Sequence, residues 1–134
     1  MSDLSAYLAG EIVDWFSQDG PMPAPPGTVY VTLFDDAGNE VDGDVQNGRV
    51  GLSTSDPAEW DRTNTAFENG VAVDFGEALS DIDNITDVGL YDSETGGNEL
   101  ARYELENAPV SVSEQTVVTF AEGELSFDVI DRTQ

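Results

Sequence analysis

From residue 28 onward, the apolar residues of this chain fall in short runs of period two, separated by segments rich in Gly, Asp, Asn and Ser. In the clearest run, at residues 28–34, Val29, Val31 and Leu33 share one face. Such alternation is typical of strands that bury one face. Strands are predicted at residues 28–34, 49–53, 65–68, 72–75, 85–91, 99–106, 115–120 and 124–130. About eight short strands at this spacing predict a mainly β fold, an antiparallel β-sandwich.

Turn-forming residues separate the predicted strands. The segments 35–39 and 93–98 and the pair Glu122-Gly123 have the composition of turns. Asn69-Gly70 predicts a hairpin between the strands at 65–68 and 72–75, because both residues tolerate positive φ. Residues 56–61 are expected to be irregular, with Trp60 closing one end of the sandwich.

The first residues have a helical periodicity and predict one amphipathic helix over residues 3–18. Ser2 or Asp3 can cap its first turn, and Gly20-Pro21 ends it. We expect its apolar stripe to form core against the rest of the domain; the alternative is a docking helix for a neighbouring subunit. The stripe consists of Leu4, Tyr7, Leu8, Ile12, Trp15 and Phe16.

The chain divides into three parts: residues 1–19, a helix packed on the sandwich; residues 20–27, a linker; and residues 28–134, the sandwich. The linker holds four of the six prolines, so we expect it to be extended and stiff. The sequence has no run of about 20 apolar residues, and its start lacks the cationic and apolar regions of a signal peptide. We therefore expect no membrane insertion and a mature protein that starts near Met1.

The charged residues limit the chemistry that this chain can perform. It carries 28 Asp and Glu against four Arg, a net charge of −24, with no Lys, His or Cys. An anionic surface repels nucleic acid, and the missing side chains exclude disulfides, zinc fingers, His-based triads and Schiff-base lysines. The apolar content of 39% favours a folded chain over a disordered one. The acid excess without lysine favours adaptation to high salt, where self-repulsion is screened, and predicts loss of structure in dilute salt.

We predict no catalytic residue, no enzymatic activity and no cofactor. No hydroxyl has a His or Lys base, and with 28 acids some carboxylate pair meets glycosidase spacing by chance. Bound cations (Ca, Mg, Na or K) are the ligands that the acidic turns could hold, although a solvated turn explains the same residues. The weak candidate ligands are Asp35, Asp36, Asn39, Asp42 and Asp44.

Two further expectations concern single side chains. Arg102 lies in the middle of a predicted strand, where we expect a two-point pair with a carboxylate. Trp60, Tyr91 and Tyr103 are the aromatic candidates for sugar binding, which would suit a cellular carbohydrate-binding or adhesion module. Strand alternation is expected to turn some of these rings inward.

Six segments, taken in order, resemble a family of small structural proteins of tailed phages that are commonly labelled tail fibre proteins. They are residues 28–34 (TVYVTLF), 38–41 (GNEV), 73–78 (VDFGEA), 85–92 (ITDVGLYD), 95–102 (TGGNELAR) and 117–125 (VVTFAEGEL). Members open with a short amphipathic helix, like residues 4–16 here. The order and spacing of the segments carry the resemblance over nearly the whole chain. Residues 42–49 depart from the family's glycine-rich stretch, since they keep Gly48 and Arg49 but lack its tyrosine.

The resemblance implies a non-enzymatic virion component with other virion proteins as partners. It also implies a symmetric homo-oligomer, with a trimer favoured by analogy with such particles. Together with the composition, it implies a tailed virus of a salt-loving archaeon, assembled in the host cytoplasm and exposed to high salt. Two locations stay open: a tail fibre or baseplate subunit that touches a host surface glycan or protein, and a head decoration or turret protein on the capsid.

Overall fold

A computed structural model describes residues 4–17, 27–53, 59–62, 66–105 and 108–128. Within these residues the chain forms one helix and ten strands. The elements are α1 (Ala6–Phe16), β1 (Thr28–Asp35), β2 (Val50–Ser53), β3 (Trp60–Arg62), β4 (Ala66–Asn69), β5 (Val73–Glu77), β6 (Ile82–Tyr91), β7 (Glu99–Glu104), β8 (Val110–Val112), β9 (Val117–Phe120) and β10 (Ser126–Asp128).

The strands form one larger and two smaller sheets, and all of their pairings are antiparallel. The main sheet has the order β2-β1-β6-β7, with β8 also paired to β6. The smaller sheets are β10-β4-β3 and β5-β9. In the main sheet, Leu33 of β1 lies opposite Val88 of β6. The fold is thus mainly β and sandwich-like with a short N-terminal helix, as the alternation predicts.

The hydrophobic core draws on all three sheets. Val31, Leu33 and Val88 from the main sheet meet Phe75 of β5 and Phe127 of β10, and none of the five is more than 3% exposed. Burial of each such side chain stabilises the fold by about 1.5–3 kcal/mol, before the entropy cost of ordering the chain. This shared core fixes the smaller sheets on the inner face of the main sheet.

Each of the eight predicted strands overlaps an observed one, whereas β3 and β8 were not predicted. Both have three residues, too few to show a clear alternation. The prediction that residues 56–61 are irregular is therefore wrong at Trp60, which begins β3. The Trp60 side chain is 9% exposed and meets the Phe67 ring edge-on, at 6.3 Å between centroids.

The hairpin predicted at Asn69-Gly70 is wrong. β4 pairs with β3 and β10, while β5 pairs with β9, so the chain changes sheets after Asn69. Asn69 is fully buried, and its side-chain Nδ2 donates to the carbonyls of Val71 (2.7 Å) and Ala121 (3.0 Å). Its Oδ1 accepts from the Leu125 N–H at 2.9 Å. The amide satisfies the backbone of three segments where two sheets meet, and this role outweighs its tolerance of a tight turn.

The helix is shorter than predicted and begins with a different cap. Ser5 is the N-cap, since its Oγ accepts from the Leu8 N–H at 3.1 Å, so the predicted cap at Ser2 or Asp3 is wrong. The Ser5 N–H donates to the Leu100 carbonyl of β7 at 2.9 Å, which ties the start of α1 to an edge of the main sheet. Residues 18–26, with the predicted stop at Gly20-Pro21, lie outside the described residues.

Candidate interaction surfaces

The outer face of the main sheet is buried around β1, although alternation alone predicts a single buried face. Thr32 and Phe34 point to this face and are 0% and 3% exposed. Two glycines make room for aromatic rings there. A Cβ on Gly89 would lie 2.7 Å from Phe34 Cε2, and one on Gly51 would lie 3.0 Å from Tyr30 Cε1. Both strands neighbouring β1 thus supply a space that an aromatic ring fills.

A buried ion pair covers this face. Arg49 donates from Nε to Glu40 Oε2 at 2.7 Å and from Nη2 to Glu40 Oε1 at 2.9 Å. Its Nη1 donates to the carbonyls of Ser93 (2.7 Å) and Gly96 (2.8 Å). The Thr32 hydroxyl donates to Glu40 Oε2 at 2.6 Å. The Arg49 side chain, 7% exposed, thereby joins β1, the loop before β2 and the loop after β6.

The two members of this pair favour each other's charged form. Hydrogen bonds from Arg49, aided by the Thr32 hydroxyl, lower the pKa of Glu40 below its usual value although burial opposes them. The hydrogen bond to Glu40 likewise raises the pKa of Arg49. Burial, followed by the charge of Glu99, raises the pKa of the Tyr91 phenol. At neutral pH the face therefore holds a charged ion pair beside a neutral phenol.

Four side chains stack in a row across the outer face, with two rings between two guanidinium groups. We call them the Arg–aromatic ladder: Arg49, Tyr91, Phe34 and Arg102. The Arg49 Cζ lies 4.0 Å from the Tyr91 ring centroid, and the Arg102 Cζ lies 3.6 Å from the Phe34 centroid. The two rings stack between them at 6.3 Å and 27°. Cation–π contacts of this kind add about 0.5–2 kcal/mol each, more where water is excluded.

The two-point pair predicted for Arg102 is instead made by Arg49. Arg102 contacts Glu99 through one hydrogen bond, from Nη2 to Oε2 at 2.5 Å, and its buried Nε has no hydrogen-bond partner. Stacking on Phe34 holds the guanidinium in an orientation that leaves Nε unsatisfied. The expectation that a carboxylate fixes Arg102 is confirmed, but the two-point geometry is wrong.

A polar cleft of about 480 Å³ lies beside the ladder. Its lining consists of Asp42, Gln46, Asn47, Gly48, Arg49, Val50, Gly51, Asp74, Glu94 and Thr95. Several of these groups already have internal partners: Gln46 Oε1 accepts from the Glu77 N–H at 2.9 Å, and Asn47 Nδ2 donates to the Asp74 carbonyl at 3.3 Å. The remaining carboxylates make this an anionic groove that suits water or weakly held cations.

The structure does not gather the five candidate cation ligands into one site. Asp35 Oδ1 accepts from the N–H groups of Ala37 (3.0 Å) and Asn39 (2.8 Å), which builds the turn after β1. Asp36 is an exposed turn residue, Asp42 lines the cleft and Asp44 Oδ1 accepts from the Ser80 hydroxyl at 3.3 Å. Among the described residues, no three acidic side chains are grouped so that they could hold a metal ion. Cation binding stays a prediction.

The three candidate aromatics for sugar binding are engaged in packing. Trp60 is buried, and Tyr91 lies under the Arg49 guanidinium. The Tyr103 ring meets Phe127 edge-on at 4.9 Å, and its hydroxyl accepts from the Ser126 N–H at 3.3 Å. Sugar recognition by ring stacking is therefore not favoured at these positions.

The six residues of the α1 stripe divide into two groups. Leu4, Tyr7, Leu8 and Ile12 are half-buried. Trp15 and Phe16 are 53% and 73% exposed, with their ring centroids 5.2 Å apart. No residue of α1 is fully buried within the chain. Whether the stripe is core or docking surface stays a prediction, and the exposed pair carries most of the apolar area that is still uncovered.

Sequence reasoning missed the partnership of Glu40 and Arg49, which no regular spacing indicates. Four arginines among 28 acids predict that neighbouring carboxylates fix each guanidinium, which is confirmed for Arg49, but they do not identify Glu40 as its partner. Glu40 and Arg49 both lie in the connection between β1 and β2, and the antiparallel pairing of these strands returns the end of that connection to the face on which it began.

Residues 3–128 match the family model described as "Podophage GP4 fiber I protein gp80", so the match extends from before α1 through β10. No curated protein matches the chain. Across the described residues, no helix has the length and apolarity needed to cross a membrane.

Proposed function

Because the chain belongs to the podophage GP4 fiber I protein gp80 family, and is thus a phage fibre-type structural protein, we propose that it is a tail fibre or baseplate-associated subunit. The observation that carries this proposal is the extent of the match, which includes the helix and the whole described sandwich. The family is one of virion structural proteins, and we propose that this member likewise acts without catalysis.

The packing of the outer face supports a structural role. The Arg–aromatic ladder and the pair of Arg49 with Glu40 cover the face opposite the core, so β1 is buried on both sides. A braced sheet of this kind keeps its shape under load, as a subunit exposed on a particle must. The charged groups that brace it are paired with one another, Arg49 with Glu40 and Arg102 with Glu99.

The charge distribution supports a particle that works in high salt. Two of the four cations, Arg49 and Arg102, are paired with Glu40 and Glu99 within the fold. Each pair neutralises one cation and one carboxylate, so the net charge of −24 falls on the charged groups outside these pairs. A chain with this charge repels itself in dilute salt and is screened in molar salt. We propose that the virion belongs to a tailed virus of a salt-loving archaeon.

The proposed subunit assembles as a symmetric oligomer, with a trimer favoured by analogy, and touches other virion proteins and a host surface glycan or protein. A closed oligomer would also cover sheet edges that a single sandwich leaves open. A head decoration or turret protein would share the fold and differ in copy number.

Quantitative mass spectrometry of purified virions tests the proposal, with the major capsid protein as the internal copy-number standard. We expect the chain in the particle at few copies, as a tail component requires. Hundreds of copies per particle would move it to the capsid, and its absence from purified virions would overturn the virion assignment altogether.

A further inference from the structure

The second half of α1 holds a concentrated exposed apolar surface. Of the six large hydrophobic side chains that are exposed in the described residues, three lie within four consecutive positions: Val13 (60%), Trp15 (53%) and Phe16 (73%). The other three lie in the sandwich: Phe67 in β4, Leu79 shortly after β5 and Val117 in β9. The concentration at α1 distinguishes it from the scattered exposed hydrophobics that any soluble protein carries.

Val13 and Phe16, but not Trp15, belong to one uncharged face of the helix. We call it the α1 outer face and define it as Ala6, Ala9, Gly10, Val13, Phe16 and Ser17, which are exposed and spaced by three and four residues. Of the eight exposed residues in the segment 6–17, only Asp14 is charged. The half-buried side of the helix carries Tyr7, Leu8 and Ile12, with Glu11 as its one charged residue. Apolar residues therefore lie on both the half-buried and the exposed side, and such a helix is normally covered on more than one side.

The net charge of the chain indicates where two copies can meet, and this bears on what covers the α1 outer face. With a net charge of −24, two copies that meet through most of their surfaces bring carboxylates together. Two α1 outer faces bring together no charge of their own, with Asp14 beside the contact. We therefore propose that the α1 outer face packs against the same face of a second copy, around the symmetry axis of the oligomer. This inference deepens the oligomeric part of the proposed function and rests on it.

The exposed area indicates how large this contact is. The large apolar side chains of this face are Val13 and Phe16, 60% and 73% exposed. Phe16 alone leaves roughly 110–180 Å² uncovered, taking about 150–250 Å² for an aromatic side chain. A stable interface buries about 800 Å² per partner, with aromatic residues at its centre and polar residues at its rim. The α1 outer face is thus the apolar centre of a contact that the neighbouring sandwich surface completes.

The salt dependence of binding distinguishes a second copy of the chain from a different protein as the partner that covers the α1 outer face. Self-association through an apolar face of an acidic chain strengthens with salt, because repulsion is screened and apolar burial is favoured. A cationic virion protein bound to this acidic chain would instead dissociate as salt rises, and the purified chain alone would be monomeric.

Sedimentation velocity of the purified full-length chain at molar KCl tests the inference. We expect the wild type to form one closed oligomer, and the double variant Val13→Glu with Phe16→Glu to dissociate at least about ten times more readily. Val117→Glu is the control, because it places one such charge at an exposed apolar position of β9 (54%), outside α1. It is expected to associate as the wild type does.

A second pair of variants guards against loss of folding. A Cβ on Gly10 meets no atom within 4 Å, and both Ala and Glu favour a helix more than Gly does. Gly10→Glu therefore strengthens the helix while it charges the outer face, and we expect it to weaken association; Gly10→Ala strengthens the helix alone and should not. Circular dichroism confirms that each variant is folded.

A monomeric wild type at molar salt would overturn the inference, as would an oligomer that persists unchanged in the folded Gly10→Glu and double variants. An equal loss in Val117→Glu would do the same. None of these results bears on whether the chain is present in virions, which the copy-number measurement decides separately.

Discussion

The carboxylate of Glu40 and the guanidinium of Arg49 form two hydrogen bonds, of 2.7 Å and 2.9 Å. They cover the outer face of the main sheet, which strand alternation alone would leave exposed to solvent. Arg49 also reaches the carbonyls of Ser93 and Gly96. One side chain therefore holds together loops that are 44 or more residues apart in sequence. We expect this pair to contribute more to stability than an exposed ion pair of the same geometry.

Glu40→Gln should destabilise the fold by about 2–3 kcal/mol, because Gln can accept only part of the hydrogen bonding and leaves Arg49 without its counter-charge. Chemical unfolding at molar salt measures the change. Glu94→Gln, at an exposed position beside the same cleft, is the control and should change stability by no more than about 0.5 kcal/mol. Equal effects of the two substitutions would show that Arg49 does not depend on Glu40.

The contribution of Glu40 to the free energy of unfolding should disappear at acid pH. Its pKa in the folded chain is lowered by Arg49 from an ordinary value of 4.5, so the unfolded chain takes up this proton first as the pH falls. The stability is therefore fully present above about 4.5 and is lost as the pH falls through the lower, folded value. We expect the stability difference between wild type and Glu40→Gln to shrink below pH 4.5 at constant salt. A difference that is constant from neutral to acid pH would contradict this.

Gly89→Ala should destabilise the fold by about 1–3 kcal/mol, because the new methyl would lie 2.7 Å from the Phe34 ring and force the ladder apart. Gly43→Ala is the matched control, since its Cβ meets nothing within 4 Å. Thermal melts of both variants, run side by side, measure the effect. A melting temperature for Gly89→Ala equal to that of Gly43→Ala would mean that the ring does not need this space.

Asn69→Ala should cost about 3 kcal/mol or more, because it leaves the Val71 and Ala121 carbonyls and the Leu125 N–H without their partners in the core. Asn47 also precedes a glycine, but it is exposed and makes a single side-chain bond at 3.3 Å. We expect Asn47→Ala to cost less than about 1 kcal/mol. Urea unfolding at fixed salt measures the loss of stability in each variant. Similar midpoints for Asn69→Ala and Asn47→Ala would show that the buried Asn69 amide is not essential to the core.

The melting temperature of the wild type should rise steeply between dilute and molar salt. A net charge of −24 on one domain repels itself at long range in dilute salt, and the Debye length falls to about 3 Å at 1 M. Calorimetry across a KCl series measures the shift. A melting temperature independent of salt would contradict the high-salt part of the proposed function, while the family assignment would stand.

Local periodicity was enough to predict the class of the fold, the helix and most strands, because Val29, Val31 and Leu33 record directly which face of β1 is buried. It could not predict the burial of Thr32 and Phe34, since Glu40 covers Thr32 and Arg102 covers Phe34, through contacts that no local pattern encodes.

The error at Asn69-Gly70 has a similar origin. The dipeptide has the local preference for a tight turn, but a buried amide that satisfies three distant backbone groups contributes more than that preference. For the candidate surfaces, the sequence predicted the α1 stripe by residue. Its split into half-buried and exposed groups depends on where Ser5 is tied to Leu100 of β7.

Immunogold labelling of intact virions tests the central claim most directly. An antibody raised against the folded chain is bound to purified particles in molar salt and located by electron microscopy. We predict gold at the tail or baseplate of most particles, with capsids and empty background unlabelled. Particles without label, from a preparation in which an antibody to the major capsid protein binds, would contradict the assignment of this chain to the surface of the virion.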